Sequence, residues 1–178
     1  MLMTTTNAAV AESGSTTVQA DKPIHTLIIG IGNSLMTDDG AGIHAIEALQ
    51  GCDLPDNVEL MDGGTLGFTL LESVENAGRL IVVDAANLGA DPGTVQSFEN
   101  EAMDAYLSNC RRSSVHEVNL MDVMSAAKFR GTMPQDYAMV GIQPAEVDWG
   151  SEPTEAVARG VQEAVQVVLG MVAEEVSA

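Results

Sequence analysis

The segment Arg79-Leu-Ile-Val-Val-Asp84 sets four apolar residues in succession and closes them with a carboxylate. A strand that alternates apolar and polar residues can leave one face in water. A strand apolar at every position has to be covered on both faces. Such coverage requires a sheet enclosed between two layers of helices, and the rest of the chain has the pattern to build one. Thr26-Leu-Ile-Ile-Gly30 and Tyr137-Ala-Met-Val-Gly-Ile142 are further buried-strand runs, with weaker strands expected at Val58 to Met61 and Thr94 to Phe98. Helical spacing separates them: Ile43, Ile46 and Leu49; Phe68 to Val74; a short stretch from Ala102 to Leu107; and Val118 to Phe129, with Val118, Met121, Met124 and Ala127 on one side. The chain closes on a broad valine stripe, Val157, Val161, Ala164, Val165, Val168 and Val172, behind Thr154 as its N-cap. The expectation is a three-layer α/β/α domain with five strands and Arg79–Asp84 placed centrally.

With 178 residues, 46% of them hydrophobic, the chain has apolar mass for one such core. Seven Lys and Arg stand against 26 Asp and Glu, a net charge of −19, and the only tight basic pair is Arg111-Arg112. Nucleic acid is therefore not an expected partner, since phosphate binding needs clustered cations. Residues 1–22 are rich in Thr, Ala and Ser and lack both a basic start and an apolar run, so they are read as a leader outside the fold, with the domain covering 23–178. Gly, Asp and Asn interrupt every apolar run before it reaches membrane-spanning length, so no membrane is expected. Cys52 and Cys110 are far apart and outside any C-x-x-C, which fits a reducing cytoplasm.

Ligands of open α/β sheets bind beyond the carboxyl ends of the strands. Three expected strand ends carry Asp or Gly there: Gly30-Ile-Gly-Asn33 leading to Asp38-Asp39, Asp62-Gly-Gly-Thr65, and Asp84-Ala-Ala-Asn87. The first is a poor dinucleotide fingerprint, because Leu35 stands where a third glycine belongs and two acids open the next helix. A cation suits gathered carboxylates better. His116, in the polar loop Ser108 to Glu117, is a candidate third partner, and an O,O,N set with open positions suits Ni, Zn, Fe or Mn. The same residues have plainer readings: Asp38 or Asp39 as helix N-cap, Asp84 as strand terminator, His116 as a solvated loop residue. His25 and His44 read as surface or structural residues and the methionines as core filler; Cys110 beside Arg111-Arg112 has the setting of an activated thiol but no His-and-acid arrangement that calls for a nucleophile, and neither a G-x-S-x-G elbow nor an H-E-x-x-H helix is present.

Taken in order, Gly30-Ile-Gly-Asn-Ser-Leu-Met-Thr-Asp-Asp-Gly-Ala-Gly42, Asp62-Gly-Gly-Thr-Leu-Gly67, Leu80-Ile-Val-Val-Asp-Ala85, Ser114-Val-His116 and Met139-Val-Gly-Ile-Gln-Pro144 resemble the hydrogenase maturation proteases over residues 25 to 172. The resemblance implies a twisted, mostly parallel but mixed five-stranded sheet of the phosphorylase/hydrolase-like kind. It implies an endopeptidase, working through aspartates, that removes the C-terminal extension of a [NiFe] hydrogenase large-subunit precursor once nickel is inserted. The nickel is supplied by that precursor. By the same resemblance Asp39, Asp84 and His116 are the metal-site residues, Asp39 and Asp84 are catalytic with Asp38 as an alternative, and Asp62, Gly63, Gly64 and Thr65 recognise substrate. Several relatives have Glu at the position of Asp39. A nickel-checking chaperone and a small phosphate- or nucleotide-binding module are the rival expectations.

Overall fold

A computed structural model describes residues 24–65, 67–109 and 115–175 of the chain. Five strands, β1 (Thr26–Ile31), β2 (Val58–Gly64), β3 (Arg79–Ala85), β4 (Val95–Glu99) and β5 (Asp136–Ile142), form one sheet in the order β2-β1-β3-β5-β4. β1 runs parallel to β2 and β3, β3 parallel to β5, and β4 antiparallel at the edge. β3 is the central strand, as its unbroken apolar run requires.

Helices cover both faces: α1 (Ala41–Leu49), α2 (Leu71–Asn76), α3 (Glu101–Asn109), α4 (Val115–Arg130) and α5 (Glu155–Glu175). The alternation of β3 divides the core between them. Ile81, Val83 and Ala85 pack with α1 and α5, through Ile46, Leu49, Val161, Val165 and Val168. Leu80 and Val82 face the other way, onto Val74 of α2, Met103 and Leu107 of α3, and Leu120, Val123 and Met124 of α4. Each buried Leu, Ile or Val contributes about 1.5–3 kcal/mol of transfer free energy. Residues 155–173 are long and apolar enough to cross a membrane by composition, yet the valine stripe of α5 is the side that covers the sheet.

Three elements differ from their sequence reading. β2 runs on through Asp62-Gly63-Gly64, where a Gly-Gly pair signals a turn, because the ladder to β1 continues with a bulge and Gly32 N donates to Gly64 O at 3.0 Å. α4 begins at Val115, so His116 lies in its first turn and not in a polar loop. Ser114-Val-His-Glu117 has the S-x-x-E spacing of a capping box, the signal that would have located this start. Finally, the residue capping α1 is Gly40, neither Asp38 nor Asp39, since a 3₁₀ turn over Thr37–Gly40 precedes the helix.

The start of α1 lies directly on the sheet. A Cβ at Gly42 would stand 2.3 Å from both Ile31 O and Val83 O, backbone atoms that no rotamer change can move. Gly42→Ala should therefore lower the unfolding free energy by about 2–3 kcal/mol, measured as a shift in the urea midpoint at unchanged m-value.

Candidate active site at the carboxyl ends of the strands

β1 is followed on one side by α1 and β2, while β3 lies on its other side, so the chain changes winding direction between β1 and β3. A crevice opens outside the carboxyl ends at such a switch point. Gly30 is the last β1 residue paired to β3, opposite Val83, and Asp84 is the next residue along. Asp84 thus stands where the two strands part, fully buried, opposite Gly141 of β5. Two residues on from Val82, its side chain projects to the layer that holds α2, α3 and α4.

Asp39 reaches the same edge from the loop after β1. At Gly32 the backbone takes φ +143°, and a Cβ there would stand 2.0 Å from Asp39 O, so glycine lets the 3₁₀ turn sit over the strand end. Asp39 is half-buried; its Oδ2 accepts from Asn33 N at 3.2 Å, and its own N–H donates to Met36 O at 2.9 Å. The space beside Gly30 is likewise filled, by Gly42 O and the Ile46 side chain. These glycines permit chain packing and make no phosphate cradle, which removes the basis of the nucleotide-binding expectation.

Asp38 has a different role from either one considered for it. It is fully buried, and its carboxylate accepts four hydrogen bonds from the far end of the chain. Oδ2 takes Ala145 N at 2.8 Å, Glu146 N at 2.9 Å and Thr154 Oγ1 at 3.0 Å, while Oδ1 takes Thr154 N at 2.6 Å. It does not cap α1, and both of its oxygens are engaged by these bonds. Thr37 beside it holds φ +40°, costly for a β-branched residue. The strain is held by Thr37 N to Gly150 O at 2.7 Å, Thr37 Oγ1 to Glu146 O at 3.0 Å, and Asp148 N to Thr37 Oγ1 at 3.0 Å. Together these bonds fasten the Asp39 turn to residues 145–154, a function that sequence reasoning missed because the partners lie more than a hundred residues away.

Asp62 pairs with Gly30 at the end of β2, and its Oδ1 accepts from Gly64 N at 2.9 Å. Asp62 and Thr65 are exposed and Gly63 is buried against Ile29, so this segment rims the crevice on the β2 side. α4 has to return the chain to the start of β5, so it runs against the strands and carries its first turn, with His116, at their carboxyl edge. The His116 side chain itself lies outside the described residues. Among the described residues no three His, Cys, Asp or Glu side chains gather as a metal-binding group. The described basic side chains are engaged elsewhere: Lys128 on Asp104, Arg130 on Glu75, Arg159 on Glu155, and Arg79, at the opposite end of β3, on Met171 O. Among the described residues, the edge that carries Asp39, Asp62 and Asp84 is therefore acidic, a setting that favours a cationic ligand.

The hydrogenase maturation protease family model matches residues 43–171. This chain belongs to the hydrogenase maturation protease family. The maturation protease is 38% identical over 150 residues to the hydrogenase expression/formation protein HupM of Azotobacter chroococcum, covering 83% of this chain and 71% of the relative. It is 36% identical over 150 residues to the hydrogenase 2 maturation protease of Escherichia coli, covering 83% of this chain and 90% of that one. Among solved structures, the hydrogenase maturating endopeptidase HybD from E. coli superposes with a TM-score of 0.79 at 35% identity, over 85% of this chain and 93% of that one. The protease is therefore a peptidase, a hydrolase, on the fold expected of it. The match to the family model starts after Asp39 and includes the segments bearing Asp62, Asp84 and His116.

Proposed function

We propose that this protease removes the C-terminal extension of a [NiFe] hydrogenase large-subunit precursor after nickel insertion, and that it reads the substrate-borne nickel with Asp39, Asp84 and His116. The observation that carries the proposal is the position of Asp84, a fully buried carboxylate at the β1/β3 switch point. Asp39 is held over the same edge, and the first turn of α4 brings the backbone of His116 to it. Two carboxylates and an imidazole leave coordination positions for ligands from the substrate, and none is a thiolate that would retain the ion. In this reading nickel anchored in the precursor orients the peptide across the crevice, and an aspartate accepts the proton as water adds to the scissile carbonyl. Asp62, Gly63, Gly64 and Thr65 line the path of the peptide. The reaction belongs in the cytoplasm, where the precursor's thiolates stay reduced.

The test compares nickel-loaded, nickel-free and zinc-loaded precursor by the mass of the large subunit before and after treatment. Shortening is expected only with nickel. Equal cleavage of all three would show that the carboxylates act as an ordinary acid/base pair without reading the metal. Binding of the nickel form without shortening would make the protein a checking chaperone.

A further inference from the structure

Met36 and Gly150 form an isolated parallel bridge, in which Gly150 N donates to Leu35 O at 3.0 Å and Thr37 N to Gly150 O at 2.7 Å. The bridge runs the backbone of Leu35 alongside that of Trp149, the single tryptophan of the chain. Leu35 is 59% exposed, Trp149 79% and Val147 53%. Among the described residues neither core cluster includes these side chains, although the backbone beneath them is tied by the Asp38 and Thr37 bonds and by Leu35 N to Asn33 Oδ1 at 3.0 Å. The same loop supplies Asn33 N to Asp39, so the apolar patch and the candidate active site share one frame. Glu146, Asp148 and Glu152 surround Trp149 in sequence and are exposed.

We propose that Leu35 and Trp149 form a docking platform for the protein substrate, and that the platform receives a substrate segment with an apolar side chain flanked by Lys or Arg. This rests on the reading given above, that the substrate is a large-subunit precursor cut at the adjacent crevice. A large aromatic ring on an already ordered backbone loses little entropy on binding and is the side chain over-represented among binding hot spots. An apolar anchor explains Trp149 and Leu35, and the acidic rim selects the charge of what lies next to that anchor.

Growth on 5-fluorotryptophan gives the protease one fluorine resonance, since Trp149 is its only tryptophan. Unlabelled nickel-loaded precursor should shift that resonance, and the shift should weaken as salt is raised from low to physiological ionic strength. In cleavage assays Trp149→Ala and Leu35→Ser should each raise KM about tenfold, equivalent to about 1.4 kcal/mol, with kcat and Tm unchanged. If the wild-type protein leaves the precursor uncut, the proposed function fails, and the resonance still judges the platform. Cleavage with unaltered KM in both variants, together with an unmoved resonance, overturns the platform. It is also overturned if the resonance moves with protease concentration alone, which would assign the patch to a second copy of this chain. A resonance already moved by deleting residues 2–22 would assign the patch to the chain's own N-terminus, with the same consequence.

Discussion

Asp84→Asn should abolish processing while leaving the protein folded. The substitution keeps the shape of a fully buried side chain and removes only its charge. A neutral amide costs less to bury than a carboxylate, so the melting temperature should hold or rise. Cleavage of nickel-loaded precursor should fall by at least about a hundredfold, because an amide neither attracts a cation nor accepts a proton at neutral pH. Two measurements decide the matter, thermal unfolding followed by circular dichroism and the cleavage rate on one batch of precursor. Cleavage at the wild-type rate would reduce Asp84 to a strand residue without a chemical role. A loss of fold together with the loss of cleavage would assign it to the core.

The second large effect belongs to Asp38. Asp38→Ala would leave four donors, Ala145 N, Glu146 N, Thr154 N and Thr154 Oγ1, without their acceptor in a partly buried setting. Hydrogen bonds to a charged group contribute about 1.5–3 kcal/mol each, and relaxation of residues 145–154 recovers part of the loss, so the expected destabilisation is about 4 kcal/mol. Asp38→Asn is no remedy. With its oxygen placed to serve Ala145 and Glu146, its NH₂ would face Thr154 N, donor against donor, and the cost should be about 2 kcal/mol. Urea unfolding of both variants checks the order. Because the turn that Asp38 anchors also carries Asp39, the Asn variant should show a reduced kcat at temperatures where it is fully folded. Wild-type stability in Asp38→Ala would mean that the four donors find water at no cost.

The comparison of Asp38 with Asp39 shows where sequence reasoning stops. Adjacent in sequence and alike in chemistry, both were candidates for capping and for the site. The structure separates them by what each meets: Asp38 turns inward to donors from residues 145–154, and Asp39 remains half-buried at the crevice. The donors that decide the fate of Asp38 lie more than a hundred residues away, beyond the reach of any local pattern. His116 is the opposite case, since its placement in a helix was legible from Ser114 and Glu117 once the capping spacing was considered.

By itself the sequence determined the layers, the central strand and the sheet edge at which Asp39, Asp62 and Asp84 lie. Those follow from side-chain periodicity, which is local: four apolar residues in a row demand two covered faces wherever they lie, and Gly or Asp at a strand end marks a loop at the carboxyl edge. The order of the motifs also determined the family. Only the tertiary structure decided that β4 runs antiparallel at the edge, that the glycines after β1 serve close packing in place of phosphate binding, and that Asp38 fastens the two ends of the fold. It also decided that the backbone segments carrying Leu35 and Trp149 run side by side. Each of these depends on which distant segment occupies a given point in space, and backbone hydrogen bonding and excluded volume settle that only when the whole chain is packed.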